Sequence, residues 1–408
     1  MNQSRSYGIF SLPVIVGALG YFVDIYDLLA FSILRQPSLS SLGLTPEQVD
    51  GKGLLIINIQ MAGLLIGGII WGVYGDKKGR LSVLFGSILL YSIANIANGF
   101  VHDVPQYVMC RFIAGIGLAG ELGAGITLVS ELLPKDRRGV GTSIVAGVGL
   151  LGAVFAYFLK EHFYWRTCYF IGGGLGFLLL ILRVSVAESG MFHSIKDKDI
   201  SRGNFFMLFN NKERLKKYLL SIFIGLPTWY VIGILVTFSN KFAQHFYIPQ
   251  KIDTGKAVMF AYVAISIGDI LIGLLSQYLK SRKKALYIFY GITAIGIGLF
   301  FFGLYNKSDT MLYFTCALLG FGTGFWAIFV TMAAEQFGTN LRATAATTVP
   351  NMVRGLLIVI TLLFQSFQTF TSYVNAGLLT GIVAMIVGVS SAVFSKETFG
   401  KDLNYVEQ

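Results

Sequence analysis

Long apolar runs separated by short polar segments dominate the chain. A helix needs about 20 mostly apolar residues to cross the hydrocarbon core of a bilayer, and twelve runs reach that length. They are too long for the strands of a membrane barrel, and they lack the required alternation. The pattern predicts twelve membrane-spanning helices, at roughly 8–34, 50–73, 81–101, 104–133, 139–160, 165–186, 217–245, 255–279, 285–305, 310–336, 342–370 and 373–394.

The largest hydrophilic stretch, residues 187–216, separates the first six spans from the last six. We therefore predict an N-terminal six-helix bundle over 1–186, a cytoplasmic central loop over 187–216, and a C-terminal six-helix bundle with a short tail over 217–408. The predicted fold class is an all-α integral membrane protein.

The two halves share a repeated pair of charges. Glu131 and Arg138 lie at the end of the fourth span. Glu335 and Arg342, each 204 residues later in the chain, lie at the end of the tenth span. Two similar halves related by parallel repetition are typical of secondary transporters, whose substrate site lies at the midplane between the halves.

Composition supports the membrane assignment, because 54% of the residues are hydrophobic and only 13% are charged. The net charge of +11 is compatible with nucleic-acid binding, but basic residues also collect on the cytoplasmic side of membrane proteins. With both termini inside, 22 of the 32 lysines and arginines fall in inside segments. This bias predicts cytoplasmic termini and no nucleic-acid partner. A chain of 408 residues without large outer loops is typical of bacterial transporters, so we expect a bacterial inner (plasma) membrane.

Several motifs resemble those of the major facilitator superfamily across essentially the whole chain. They are Gly72 to Arg80 between spans 2 and 3, Arg111 to Gly117 in span 4, Trp165-Arg166 at span 6, and Glu397 to Leu403 after span 12. The resemblance implies the major facilitator fold, in which two pseudo-repeated bundles work by alternating access, usually as a monomer.

Two further motifs narrow the resemblance within the superfamily. Asp24-Ile-Tyr26-Asp27 in span 1 and Gly120-Glu121 in span 4 resemble the metabolite:proton symporters, which carry organic acids, aromatic acids or zwitterions. Phosphate:proton symporters share the span 1 pattern. The second-half copy of the span 2–3 motif, Gln277 to Lys284, lacks the aspartate, and span 5 lacks the Gly-Pro of drug antiporters.

Charged residues inside spans are the candidates for function, because each costs at least about 2.5–3.5 kcal/mol at mid-bilayer. Asp24 and Asp27 share one helix face, and their repulsion favours proton binding by at least one of them, with Asp27 preferred. We expect an Asp27–Arg111 pair that substrate or proton opens, and the alternative is a permanent structural pair. The candidate proton-coupling residues are Asp24, Asp27, Glu121 and Asp269.

An embedded arginine in each half favours an anionic substrate, because a guanidinium stays charged and grips carboxylates through two hydrogen bonds. A structural Asp269–Arg354 pair is the alternative for the second half, and packing is the alternative for the aromatic residues. The candidate substrate-binding residues are Arg111, Arg354, Asn351, Tyr230, Trp229 and Trp326.

The resemblance also implies a cytoplasmic gate, in which the aspartate of the span 2–3 motif lies near the start of span 11. The alternative is that these charged residues only set the orientation of the spans in the membrane and form no gate. The candidate gate residues are Asp76, Arg80, Glu131 and Arg138.

These features predict a secondary transporter that imports a small anionic or zwitterionic metabolite with protons. Its partners are then the substrate, protons and the lipid bilayer. A proton-coupled exporter of drugs or siderophores is the first alternative, and a transporter-like sensor is the second. We find no nucleophile–base or metal-ligand spacing, so we predict no enzyme activity, metal site or cofactor.

Overall fold

The computed structural model describes residues 8–134, 137–183, 204–303, 308–403 and 405–407. Within them, twelve helices are long and apolar enough to cross a membrane. They are α1 Leu12–Ser41, α2 Gly51–Lys78, α3 Arg80–Asn98, α4 Val104–Leu132, α5 Gly139–His162, α6 Trp165–Arg183, α7 Lys212–Val236, α8 Thr254–Tyr278, α9 Arg282–Phe302, α10 Asp309–Gln336, α11 Arg342–Gln368 and α12 Tyr373–Phe394.

Each predicted span therefore has its helix, with differences at the ends. Helix α1 continues to Ser41 through Pro37, well past the predicted end. Helix α7 begins at Lys212, inside the segment predicted as a loop, because the Asn211 side chain accepts a hydrogen bond from the Glu213 amide and caps the first turn. Residues 187–203 of that predicted loop lie outside the described part of the chain.

The bundle has two ends, a terminal face and a distal face. The terminal face holds the start of α1, the turn between α2 and α3, and the C-terminal tail. The distal face holds the end of α1 and the loop between α3 and α4. The sequence predicts that the terminal face is cytoplasmic.

Four of the described spans are interrupted. Residues 119–120 separate the two parts of α4, Leu151 separates those of α5, residues 323–325 separate those of α10, and α7 becomes π-helical over Val231–Val236. Interruptions within a membrane need other groups to satisfy the freed backbone, and they commonly mark functional sites. Here Asn351 donates to the Ala119 carbonyl, and Asp269 accepts from the Ala327 amide.

The two halves meet along α2 against α11 and along α5 against α8. Glycines allow these helices to approach closely, since a Cβ at Gly68 would meet Asn351 and one at Gly72 would meet the Thr344 backbone. On the other side, Gly147 and Gly273 of the two facing helices lie against the partner helix in the same manner.

Close packing inside the first half gives a stability prediction. A Cβ at Gly115 would collide with the backbone carbonyl of Gln60, which has no room to move. We expect Gly115→Ala to destabilise the protein by about 1–3 kcal/mol and to lower the unfolding midpoint in detergent. Gly174→Ala is the control, because no atom lies within 4 Å of its added Cβ. Equal midpoints for the two variants would contradict this packing.

Candidate functional site

Helix α1 carries two adjacent stripes at helical spacing, and both are buried. One stripe consists of Gly20, Asp24 and Asp27, of which Gly20 and Asp27 contact charged side chains of the first half. The neighbouring stripe lines a cavity between the halves and consists of Tyr21, Ile25 and Leu28. Among nearby charges, that of Arg354, which lines this cavity, acts most strongly on Asp24.

The predicted contact between Asp27 and Arg111 is present. The Arg111 Nη1 atom donates to the Asp27 carboxylate at 2.9 Å, and both side chains are fully buried. Arg111 also donates to the Asn95 side chain at 2.6 Å, lies 5.0 Å from the centre of the Tyr169 ring, and faces Asn98. Such an enclosure compensates the cost of burying the pair.

Sequence reasoning did not identify these asparagines. Asn95 and Asn98 lie three residues apart in an apolar span, so they share a helix face, and that spacing was the available signal.

Asp24 has a different environment, although it lies only one turn from Asp27. Its side chain is fully buried, and neither carboxylate oxygen has a hydrogen-bond partner within the described residues. An ionised carboxylate without partners is costly in such a place, whereas the neutral acid is much less so. Asp24 is therefore the carboxyl group of α1 that is best suited to hold a proton in this conformation.

Glu121 is paired with Arg183, which lies near the end of the predicted span 165–186 and was not among the predicted site residues. Both Arg183 terminal nitrogens contact the Glu121 carboxylate, one of them at 3.0 Å, and the guanidinium also donates to the Leu84 carbonyl at 3.1 Å. The pair packs against Gly20, where any Cβ would collide with it. Because Arg183 is the last residue of an apolar run, the sequence left open which side of the boundary it occupies.

A small central cavity of about 20 Å³ lies between the halves, beside the second stripe of α1. Its polar lining consists mainly of hydrogen-bond donors, with Arg354, Trp229, Trp326 and Thr228 among them. Four donor atoms on these buried side chains make no hydrogen bond within the described residues: Arg354 Nε, Trp229 Nε1, Trp326 Nε1 and Thr228 Oγ1. Unpaired buried donors of this kind suit a ligand rich in acceptors.

The structural pair between Asp269 and Arg354, the alternative for the second half, does not form among the described residues. Asp269 accepts a hydrogen bond from the Ala327 amide at 3.0 Å. Its carboxylate therefore caps the second part of α10, which begins after the interruption. Arg354 donates to the Asn351 side chain at 3.1 Å and lies 5.9 Å from the centre of the Trp326 ring. No ion pair involves Arg354 within the described residues.

The predicted substrate-binding residues thus divide into two groups. Arg354, Trp229 and Trp326 line the central cavity, with Trp229 and Trp326 in a T-shaped contact of 6.4 Å between ring centres. Asn351 supports Arg354 and also donates to Ala119 of the other half at 2.8 Å. Tyr230 is not part of this set, because its hydroxyl donates to the Gly377 carbonyl within the second half.

At the terminal face, Asp76 joins the two halves. Its carboxylate accepts from the amides of Ala343 and Thr344, at 3.1 and 2.8 Å, and from the Thr344 hydroxyl at 2.7 Å. The acid therefore caps the first turn of α11, where the helix dipole favours a negative charge. The motif around Asp76 was predicted to lie between spans 2 and 3, but most of it is helical. Helix α2 continues to Lys78, and only Gly79, at φ 102°, forms the turn.

A charge network continues from this cap. Glu131 accepts from Arg80 at 2.9 Å and from Arg342 at 3.1 Å, which links the first half to the second. Arg342 also donates to the Leu403 carbonyl of the C-terminal tail at 2.6 Å. Arg138 was predicted to join this network, but its side chain lies outside the described part of the structure.

The second half holds a related arrangement. Arg282 contacts Glu335 at 3.1 Å, and the Ser276 hydroxyl accepts a hydrogen bond from Arg282 at 2.8 Å. Glu397 of the tail accepts from the Arg282 amide and the Ser281 hydroxyl. Burial raises the pKa of Glu397, but these hydrogen bonds outweigh burial and hold the pKa below its usual value.

Towards the distal face, three cavities follow one another. Leu28, Trp229 and Ile232 separate the central cavity from a second one of about 40 Å³. Ser32 lines both that cavity and a vestibule of about 570 Å³ at the distal face. The wide distal opening, together with the contacts of Asp76 and Glu131 that join the halves at the terminal face, is typical of a conformation that opens distally and is closed around the centre.

Comparison with known sequences agrees with this architecture. The model of the Major Facilitator Superfamily matches residues 17–362. The niacin transporter NiaP of Acinetobacter baylyi is 25% identical, with 97% of this chain and 96% of that protein covered. The 3-(3-hydroxy-phenyl)propionate transporter of Escherichia coli is 26% identical, with 72% of each chain covered.

Comparison with solved structures gives the same fold. The proton:xylose symporter XylE superposes with a TM-score of 0.77 at 17% sequence identity, and the superposition covers 97% of this chain and 98% of that one. At this identity the likeness establishes the arrangement of the helices, and the chemistry has to be argued from the residues of this chain.

Proposed function

This chain belongs to the Major Facilitator Superfamily, and from that premise we propose that it is a proton-coupled symporter of a small organic anion, with an aromatic carboxylate as the substrate class. It is a multi-pass membrane transporter of a small molecule rather than an enzyme. We further propose that substrate and protons move together into the cell, with the terminal face on the cytoplasmic side of a bacterial inner membrane.

The observation that carries the proposal is the set of unpaired donors around Arg354. The Arg354 guanidinium, which forms no ion pair within the described residues, supplies the charge for an anion, and the flanking indole N–H groups supply further donors. The rings of Trp229, Trp326 and Tyr262 supply flat apolar walls that suit an aromatic ring. Relatives named for niacin and for a hydroxyphenyl propionate carry compounds of this type.

Asp24 is proposed as the proton-binding residue, since its carboxyl group is buried and has no hydrogen-bond partner in the part of the chain that the structure describes. Asp27 and Glu121 hold arginines in this conformation, so we assign them to the charge pairs on either side of Asp24. Protonation would neutralise Asp24 and allow the closed arrangement to form, and deprotonation would favour a wetter one.

Helix α1 provides the connection between substrate and proton. Residues 24 and 25 are adjacent on α1: Ile25 lines the central cavity, and the charge of Arg354 in that cavity acts on Asp24. The cavity of about 20 Å³ is too small for an aromatic acid, so a substrate must displace α1 or α7. Such a displacement also moves Asp24, which couples the two ligands.

The gate at the terminal face keeps the two openings from forming together. Asp76 and Glu131 of the first half bind groups at the start of α11, so opening towards the cytoplasm requires these contacts to break. Alternating access then follows from exchange between this closure and closure on the distal side.

Asp76→Asn tests the gate. We expect it to slow transport about tenfold, because the amide cannot accept from both backbone amides and the closed state loses about 1–3 kcal/mol. Alkylation of a cysteine placed at Thr347, which is 1% exposed, should accelerate in parallel in a background without native cysteines. Asp103→Asn is the control, because Asp103 caps α4 at the distal face. Unchanged alkylation in Asp76→Asn would contradict the gate.

A thermal-shift screen of the purified protein tests the substrate class. Nicotinate and 3-(3-hydroxyphenyl)propionate should raise the unfolding midpoint, and nicotinamide, which lacks the carboxylate, should not. Stabilisation by bulky cations alone would contradict the proposal and favour the exporter.

A further inference from the structure

We propose that the hydroxyl groups of Tyr21 and Tyr262 bind the substrate carboxylate beside Arg354, so that the bound anion joins the two halves of the transporter. Tyr21 belongs to α1 in the first half, whereas Tyr262 and Arg354 belong to α8 and α11 in the second. The inference rests on the proposed function, because it assigns further binding residues to the same substrate.

The position of the two tyrosines is the first observation. Both line the central cavity together with Arg354, and the volume of about 20 Å³ has room for one water molecule. Side chains that enclose so small a space lie close to one another, and the charge of Arg354 acts on both phenol groups. Tyr21 is 1% exposed and Tyr262 is 4% exposed, so the cavity is the place where a ligand would meet them.

The unused hydrogen-bonding capacity of the two hydroxyls is the second observation. Neither hydroxyl makes a hydrogen bond within the described residues, although the carboxylates of Asp24 and Asp269 are among the charges that act on Tyr21. Tyr26, on the same helix, is different, because its hydroxyl donates to the Cys168 carbonyl at 2.6 Å. A buried hydroxyl has lost its hydrogen bonds to water, so one that lacks a protein partner favours a ligand that accepts from it.

The distribution of polar groups around the cavity is the third observation. The first half contributes Ile25, Leu28 and Leu150 to the lining, which are apolar, and Tyr21. Among the described residues, Tyr21 is therefore the polar side chain through which the first half reaches an anion held by Arg354. A carboxylate has two oxygens with about four lone-pair sites, so it can accept from a guanidinium and two hydroxyls together.

A glycine holds the ring of Tyr21 in place. A Cβ at Gly149 of α5 would collide with the Tyr21 ring, so the ring packs directly against the backbone of that helix. The hydroxyl is thus positioned before the substrate arrives, which lowers the entropic cost of binding.

Contacts from both halves give the substrate a preference between conformations. A carboxylate that accepts from the first half and from the second binds more tightly when the halves are close around it. Such differential affinity is what allows a ligand to shift a conformational equilibrium. The ligand class is an aromatic acid whose carboxylate, rather than a ring substituent, meets the two tyrosines.

The test measures affinity and stability separately in Tyr→Phe variants, which keep the ring and remove the hydroxyl. Isothermal titration of the purified full chain with benzoate, nicotinate and 3-(3-hydroxyphenyl)propionate gives the affinity, and thermal unfolding without substrate gives the stability. We expect Tyr21→Phe and Tyr262→Phe each to weaken binding of all three acids about tenfold. Neither should lower the unfolding midpoint of the empty protein, because neither hydroxyl has a partner to lose.

Tyr26→Phe and Tyr290→Phe are the matched controls, one in each half. The Tyr26 hydroxyl donates to the Cys168 carbonyl at 2.6 Å, and the Tyr290 hydroxyl donates to the Ile224 carbonyl at 2.7 Å. Neither tyrosine lines the central cavity. We expect both controls to lower the unfolding midpoint and to keep the affinity within about twofold.

Each outcome bears on one of the two proposals. Normal affinity in Tyr21→Phe or Tyr262→Phe, with Arg354→Gln still weakening binding, overturns the role of that tyrosine while the inner site stands. A loss that spares benzoate also overturns it, because the hydroxyl then binds a polar atom of the ring. A midpoint lowered as far as in Tyr26→Phe and Tyr290→Phe, or an equal loss of affinity in those controls, overturns it as well. Absence of binding of all three acids to the unmodified protein overturns the substrate class and the tyrosine assignment together.

Discussion

Arg354→Gln is expected to weaken binding of aromatic carboxylates about 100-fold. A charge-assisted hydrogen bond to a carboxylate contributes about 1.5–3 kcal/mol, and the glutamine removes both the charge and the forked geometry. Isothermal titration with nicotinate and 3-(3-hydroxyphenyl)propionate measures the loss directly.

Although Arg354→Gln should weaken binding, it should stabilise the protein that has no substrate bound. Arg354 is 2% exposed and has no carboxylate partner within the described residues, so its burial is costly in the absence of substrate. We expect Arg354→Gln to raise the unfolding midpoint while it abolishes the shift induced by carboxylates. Arg354→Lys keeps the charge and should recover part of the affinity. A variant that binds normally, or that is less stable when empty, would assign Arg354 a structural role.

Asp24→Asn is expected to abolish accumulation driven by a proton gradient while it leaves substrate exchange intact. The asparagine resembles the protonated acid, so the closed conformation still forms, but no proton is released on the other side. Proteoliposomes report both activities, since counterflow needs no gradient and net accumulation does. The expected loss of accumulation is complete, and counterflow should stay within about threefold of the unmodified protein.

Asp27→Asn provides the contrast to Asp24→Asn. It removes the carboxylate from Arg111, which lies 2.9 Å away and is fully buried, and breaking such a pair costs about 3–5 kcal/mol. A large loss of stability is therefore expected for Asp27→Asn and none for Asp24→Asn. If Asp24→Asn still accumulates substrate against a gradient, the proton is carried elsewhere.

The course of the spans was predictable from the sequence, because hydrophobic length is a strong and local signal. Pairing among the embedded charges was only partly predictable. Asp27 and Arg111 were brought together by depth alone, since one helix runs towards the distal face and the other away from it. Depth does not determine rotation about the helix axis, and for this reason the sequence left an Asp269–Arg354 pair open as the alternative to an anion-binding Arg354.

Two further features depended on contacts that no local pattern encodes. Arg183 ends α6, and only the packing of α6 against α3 and α1 determines that its side chain turns inward to Glu121. Trp229 and Tyr230 are adjacent in sequence, but they lie about 100° apart around α7, so only Trp229 meets the cavity. The vestibule likewise arises from segments far apart in the chain.

The central claim is that a proton gradient drives accumulation of an aromatic carboxylate. Uptake of radiolabelled nicotinate and 3-(3-hydroxyphenyl)propionate into proteoliposomes, with nicotinamide as the neutral comparison, tests it most directly. The account predicts that an imposed inside-alkaline gradient concentrates at least one carboxylate, that a protonophore abolishes this, and that nicotinamide is not concentrated. Accumulation that ignores the protonophore, or that concentrates nicotinamide equally well, would contradict the account.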